Sequence, residues 1–183
     1  DTRLLLRGPA GIGKSHLGRA LRDRLQDKGW RVALARASEL SRSVPYAALG
    51  RLVLEVLAAE PADVGQLLEA RLLEASVPQE AAQAQPALLL AELRPLASVL
   101  RGPSNHGLPR ALERDPALLD EALTDAWRVW PDAEQRVQPL ALFMDDAQWC
   151  DAASLRLLDT ATPHSLRLVW LARPGSSVEE RLK

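Results

Sequence analysis

Short unbroken apolar runs take turns with stretches in which apolar residues recur every three or four positions, and the switches lay out the elements. Leu4-Leu5-Leu6 has the pattern of a central parallel strand buried on both faces. From Ser15 the spacing becomes helical, with Leu17, Ala20, Leu21 and Leu25 on one face up to Lys28, and Gly29 is a natural stop. Val32 to Ala35 reads as a second strand; it completes a strand–helix–strand unit whose crossover is right-handed, which predicts a parallel sheet. A polar connection over 37–46 then leads into a helix carrying Leu49, Leu52, Val53, Val56 and Leu57.

No strand pattern is found from about Pro61 to Trp130. Leu67-Leu68, Leu72-Leu73, Leu88-Leu89-Leu90, Leu93, Leu96 and Leu100 fall at helical spacings broken at Pro78, Pro86 and Arg101-Gly102-Pro103, so 61–130 is expected to be a helical insert. Residues 104–109 read as an exposed loop. Pro116 suits the first turn of a further helix with Leu118, Leu119, Ala122, Leu123 and Ala126 toward the core, running into Trp127 and Trp130. A strand follows over Leu140 to Asp146 and ends in two adjacent carboxylates. Asp151 is placed to cap a helix starting at Ala152, and a last strand over Leu166 to Ala172 runs into Arg173-Pro174-Gly175.

Composition narrows the class. At 183 residues the chain is expected to be one domain, and a net charge of −1 leaves no basic footprint for nucleic acid, so DNA binding by this segment itself is not expected. No apolar run is long enough to span a bilayer and the start lacks a signal-peptide pattern, so the chain reads as cytoplasmic, with no membrane partner. The one cysteine, Cys150, excludes an internal disulfide and a cysteine-cluster metal site, and reads as a small buried side chain. The absence of an initiator Met and the early first strand read as a segment of a longer polypeptide. Trp30, Trp127, Trp130 and Trp170 read as packing. His16, His106 and His164 share no metal-ligand spacing, and their side chains read as surface or capping groups.

Candidate chemistry begins at Gly8-Pro9-Ala10-Gly11-Ile12-Gly13-Lys14-Ser15, between the first strand and the first helix. The spacing G-x-x-x-x-G-K-[ST] is that of a phosphate-binding loop: the glycines let successive N–H groups turn inward around an anion, and the helix presents its positive end to the same group. Lys14 is expected to reach the β- and γ-phosphates and Ser15 to be one ligand of a Mg²⁺ ion. The cofactor-binding stretch is taken as Gly8, Pro9, Ala10, Gly11, Ile12, Gly13, Lys14, Ser15 and, closing it, His16.

The second half of the site is Asp145 and Asp146, because ligands of open α/β sheets bind at the carboxyl ends of the strands. Consecutive strand residues point opposite ways, so Asp145 is expected to hold Mg²⁺ through its water shell while Asp146 orients an attacking water. Arg173 either reaches the γ-phosphate from a neighbouring strand end or is a plain surface arginine. Glu39 either faces the nucleotide site or is a solvated or capping glutamate.

Four stretches together carry a family likeness. Gly8 to Ser15, Ala35 to Leu40 followed by Val44 to Leu49, Asp145-Asp146-Ala147-Gln148-Trp149-Cys150-Asp151 through Leu155, and Leu171 to Pro174 resemble the ATPase domain of the large ATP-binding LuxR-type bacterial transcription regulators. These belong to the signal-transduction (STAND) branch of the AAA+-like P-loop ATPases. The resemblance covers both ends of the chain and hardly the helical middle.

It implies an α/β P-loop NTPase of the ASCE, AAA+-like kind, a parallel sheet flanked by helices with the last strand between the loop strand and the Asp145 strand. It implies ATP or ADP with Mg²⁺ as cofactors, Lys14, Asp146 and Arg173 as the catalytic set, and Arg173 as the sensor of the γ-phosphate. It also implies slow hydrolysis controlling self-association, and DNA contacted only through a downstream helix-turn-helix outside this chain. Cys150 stands where alanine is more usual. The chain stops at Lys183, before a fifth strand and the lid of such proteins, so turnover is expected to be weak in this segment. ATP rather than GTP rests on the resemblance. The alternatives are a non-catalytic nucleotide-binding scaffold whose insert binds a protein or inducer, and a phosphotransferase, for which no acceptor motif is present.

Overall fold

A computed structural model of the chain describes residues 3–58, 67, 114–162, 165–176 and 178. In chain order the elements are β1 (Arg3–Arg7), α1 (Lys14–Asp27), β2 (Arg31–Arg36), a 3₁₀ turn at Glu39–Ser41, α2 (Ala47–Leu57), α3 (Pro116–Val137), β3 (Leu140–Asp145), a 3₁₀ turn at Ala147–Trp149, α4 (Ala152–Thr160) and β4 (Arg167–Ala172). The readings for the insert between 59 and 113, the loop over 104–109, His106 and His164 lie outside the described residues, Leu67 excepted.

The four strands form one sheet in the order β1-β4-β3-β2, every pairing parallel. The last strand does lie between the loop strand and the Asp145 strand. Consequently β2 does not pair with β1, although α1 joins them; two strands formed much later in the chain come between.

Period-two alternation sorts the sheet's side chains between two cores. Ala141, Phe143, Val169 and Leu171 face α1, where Leu21 and Leu25 meet them. Leu140, Leu142, Met144, Leu168 and Trp170 face the other way, into a larger core filled by α2, α3 and α4. Strands β3 and β4, covered on both faces, therefore carry the continuous apolar runs. The first helix sits so close that a Cβ on Gly18 would come 2.6 Å from the Leu171 side chain, so any larger residue there would have to displace that buried leucine.

Two expectations are corrected. β1 is the edge strand of the described sheet rather than a central one, and Leu4 is 44% exposed rather than buried. Leu118, in the first turn of α3, points to solvent while Leu123, Ala126, Trp127 and Trp130 are buried. Two other boundaries fall as expected: Gly29, at φ 79°, follows the end of α1, and Pro116 takes the first position of α3, where the structure adds Asp115 as the cap.

Helix α3 passes without a break through Pro131 to Val137, so it crosses the expected end of the insert. Its far end is anchored by Glu134, whose carboxylate pairs with Arg31 of β2 at 2.5 Å and accepts from Trp130 Nε1 at 3.0 Å. Trp127 Nε1 donates to Thr162 Oγ1. Both buried indoles of this helix thus have a polar partner, as packing tryptophans usually do.

Candidate functional site

All four strands run the same way and end level. Arg7 is opposite Ala172 and Arg36 opposite Asp145, so the segments that follow emerge on one edge of the sheet. Gly8, buried at the end of β1, donates its N–H to Ala172 O. Asp145 ends β3, two strands away from β1, which corresponds to about 10 Å across the sheet. The glycine-rich loop, the paired aspartates and Arg173 therefore share that edge.

The loop has the shape an anion requires. Gly11 and Gly13 have φ of 79° and 100°, conformations that side-chain-bearing residues rarely adopt. Gly13 is the N-cap of α1 and offers no side chain; the helix has no acidic residue in its first turn, so its N–H groups and positive end are left for an external anion. Lys14, the first residue of α1, turns its ammonium back to donate to Gly8 O at 2.8 Å and Pro9 O at 2.9 Å. That holds a positive charge over the loop's own carbonyls, where phosphate oxygens would be stronger acceptors. Ser15 is half-buried at the same turn, while Pro9, Ala10, Ile12 and His16 are exposed along the rim. Ser15 and Asp145 offer a hydroxyl and a carboxylate, the hard oxygen donors suited to Mg²⁺.

Asp145 is 7% exposed and its Oδ1 accepts from the N–H of Asp146. Asp146 itself is not in the strand, which corrects the expected alternation of two strand residues. It turns into the left-handed region at φ 51°, so its direction is set by a tight turn and not by the pleat. Aspartate is among the few residues that tolerate this conformation.

That turn carries the Asp146 carboxylate into two contacts no sequence pattern announces. Arg36, from the end of β2, donates through Nε at 2.7 Å and Nη2 at 2.5 Å to Asp146 Oδ2. Gln148 Nε2 donates to Asp146 Oδ1 at 3.0 Å, and Gln148 Oε1 accepts from the backbone N–H of Arg173 at 3.2 Å. Burial alone would raise the Asp146 carboxyl. The hydrogen bonds from Arg36 and Gln148, with the charges of Arg36 and Arg173, outweigh it and hold the group below the usual carboxylate range. Arg36 is raised by the same pair. Arg36 and Gln148 both lay inside stretches carrying the family likeness, yet neither had a role, since only the strand order makes Arg36 a neighbour of Asp146.

The pH consequence has a definite sign. A depressed folded-state pKa gives stability that is present above the unfolded value, near 3.9, and is lost as pH falls through the folded one. In Arg36→Ala the largest hydrogen-bonding partner of Asp146 is gone, so its carboxyl should titrate at higher pH in a carbon-detected NMR titration. An unmoved midpoint would contradict the assignment of Arg36 as the dominant partner.

Asp151 does cap α4, accepting from Ser154 N–H, but it also accepts from Tyr46 and Ala48 N–H at the start of α2. Tyr46 in turn gives its hydroxyl to Asp120, which also pairs with Arg156. Burial pushes the Cys150 thiol well above its usual range, in keeping with a small buried side chain and no thiolate chemistry.

A parallel sheet flanked by helices, with the glycine-rich loop and the carboxylates at one sheet edge, defines a P-loop NTPase. The chain belongs to the AAA ATPase domain family, whose model it matches over residues 2–171. Nucleotide binding and hydrolysis are the general activity of that family, with Mg²⁺ the usual companion ion. No curated protein and no solved structure matches the chain. Among the described residues no helix is long and apolar enough to cross a membrane.

Proposed function

We propose that this chain is the ATP-binding, slowly hydrolysing switch module of a bacterial LuxR-type transcription regulator. It would be one P-loop core with a helical insert over about 61–130, in a longer cytoplasmic polypeptide that self-associates and meets DNA through a downstream helix-turn-helix. The observation that carries the nucleotide part is the common edge on which Lys14, Asp145 and Arg173 emerge. The likeness of the Asp145 to Leu155 block to that branch carries the regulator part.

In this reading the N–H groups of Gly11, Gly13, Lys14 and Ser15 cradle the phosphates, and the Lys14 ammonium binds the β- and γ-phosphates. His16 closes the stretch on the exposed face of the first turn. Ser15 and Asp145 hold Mg²⁺, which neutralises charge on the phosphate oxygens when bound. Asp146 orients water and Arg173 senses the γ-phosphate. The ion pair to Arg36 occupies one oxygen of Asp146, which favours slow turnover. The same pair is the specific support for a second reading, a non-catalytic nucleotide-binding scaffold whose insert binds a protein or inducer.

Phosphate release from the full-length protein separates the two. Slow, Mg²⁺-dependent release that falls in Asp146→Asn is expected for the switch; stoichiometric ATP binding with no release would favour the scaffold. A reading frame without a helix-turn-helix beyond Lys183 would remove the regulator part.

A further inference from the structure

A cavity of about 650 Å³ opens beside the carboxyl end of β4, and none of Gly8 to Ser15 lines it. Its walls come from the turn after β3, the start of α4, the segment following β4, and Arg42. Two of the lining residues are arginines, Arg42 and Arg173, and no lining residue is acidic. Neither arginine makes an ion pair among the described residues. Asp146 lies instead in a separate cleft of about 370 Å³ with Arg36 and Glu39.

Three further features give the cavity a chemical character. Ser176 lines it, and its buried hydroxyl has no hydrogen-bond partner among the described residues. A buried hydroxyl without a partner is costly, and a ligand with a hydrogen-bonding group in this cavity would remove that cost. Trp149 supplies a flat ring with the Arg42 guanidinium 5.9 Å from its centre, and Leu155 supplies an apolar wall. Guanidinium groups match carboxylates in planar, two-point geometry, and an aromatic face beside one takes a flat apolar body. The volume is within the range of small-molecule sites.

We infer that this cavity is a second ligand site, separate from the phosphate loop, for a small organic carboxylate with a flat apolar body. The carboxylate meets Arg42 and Arg173, the Ser176 hydroxyl gains its partner, and the body lies against Trp149 and Leu155. The cavity shares Arg173 with the γ-phosphate-sensing role proposed above, while Arg42, Trp149, Leu155 and Ser176 have no part in that role.

Benzoate is the probe. Titrated into the full chain and followed through the five tryptophan indole N–H signals, with the Trp149 signal assigned from Trp149→Phe, it should bind saturably and shift the Trp149 signal. Benzamide, of the same shape and no charge, should bind at least tenfold more weakly. Arg42→Ala, a change at an exposed side chain, should weaken benzoate at least tenfold, and Lys14→Ala should leave it unchanged. The inference is overturned by an unmoved Trp149 signal, by equal binding of benzamide, or by indifference to Arg42→Ala. Loss of benzoate binding in Lys14→Ala would overturn it too, by returning the ligand to the phosphate loop.

Discussion

Lys14→Ala is expected to weaken nucleotide binding by a hundredfold or more, whether or not Mg²⁺ is present. The side chain is a cation belonging to the loop itself, and its ammonium already lies within 2.9 Å of two loop carbonyls that fix its position. Charge-assisted hydrogen bonds contribute about 1.5–3 kcal/mol each, so losing two costs roughly 3 kcal/mol or more, which is about a hundredfold in Kd. Asp145→Asn should behave differently. It keeps the Oδ1 acceptor for the Asp146 N–H but removes the charge, so it should lose only the increment in affinity that Mg²⁺ adds. Titration calorimetry with ATP, with and without Mg²⁺, reads both effects. Unchanged Mg·ATP affinity in both variants would end the nucleotide reading, while equal losses in both conditions would remove Asp145 from the metal. Lys14 is only half-buried at the helix start, so its loss should leave the urea midpoint near that of the parent.

Asp151→Ala should be the most destabilising single change at a polar residue, by roughly 3–5 kcal/mol. The carboxylate is 3% exposed and accepts from three backbone N–H groups, Tyr46 at 2.8 Å, Ala48 at 3.0 Å and Ser154 at 2.8 Å. Truncation strands all three donors in a site where water cannot replace the acceptor, and each stranded donor costs about 1–3 kcal/mol. An ordinary N-cap, with one helix and an exposed site, loses only about 1 kcal/mol. Here one side chain caps α2 and α4 together, and α2 carries much of the larger core through Leu49, Leu52, Val53 and Val56. Urea unfolding followed by circular dichroism checks it, with Asp151→Asn as the intermediate case because one amide oxygen is retained. A loss near 1 kcal/mol for the alanine variant would show that the α2 contacts contribute nothing.

Asp151 combines a local relation with two long-range ones. The spacing of Asp151 before Ala152 identified the cap of the following helix, because an N-cap is a relation between residues three apart. Its bonds to Tyr46 and Ala48 span 105 and 103 positions, and no local rule connects them. Asp146 illustrates the opposite error. The apolar run suggests a strand through Asp146, but the pleat ends at Asp145 and the left-handed turn at Asp146 directs the carboxylate toward Arg36. For β1, an unbroken apolar run suggested burial on both faces, but three leucines are too few to show whether a strand has one neighbour or two.

What the amino-acid order determined by itself was local: the glycine-lysine loop, the helical and strand periods, Gly29 as a helix stop, Pro116 in a first helical turn, and Asp151 as the cap of the helix that follows it. Each depends on backbone geometry and on side chains within a turn or two of one another, so the pattern carries the physics. The tertiary structure alone decided the edge position of β1, the contact between Arg36 and Asp146, the bridge from Gln148 to the end of β4, and the double cap at Asp151. These depend on the order of strands in the sheet, and that order follows from how two apolar faces are covered by helices, a property of the whole chain's packing that no short stretch contains.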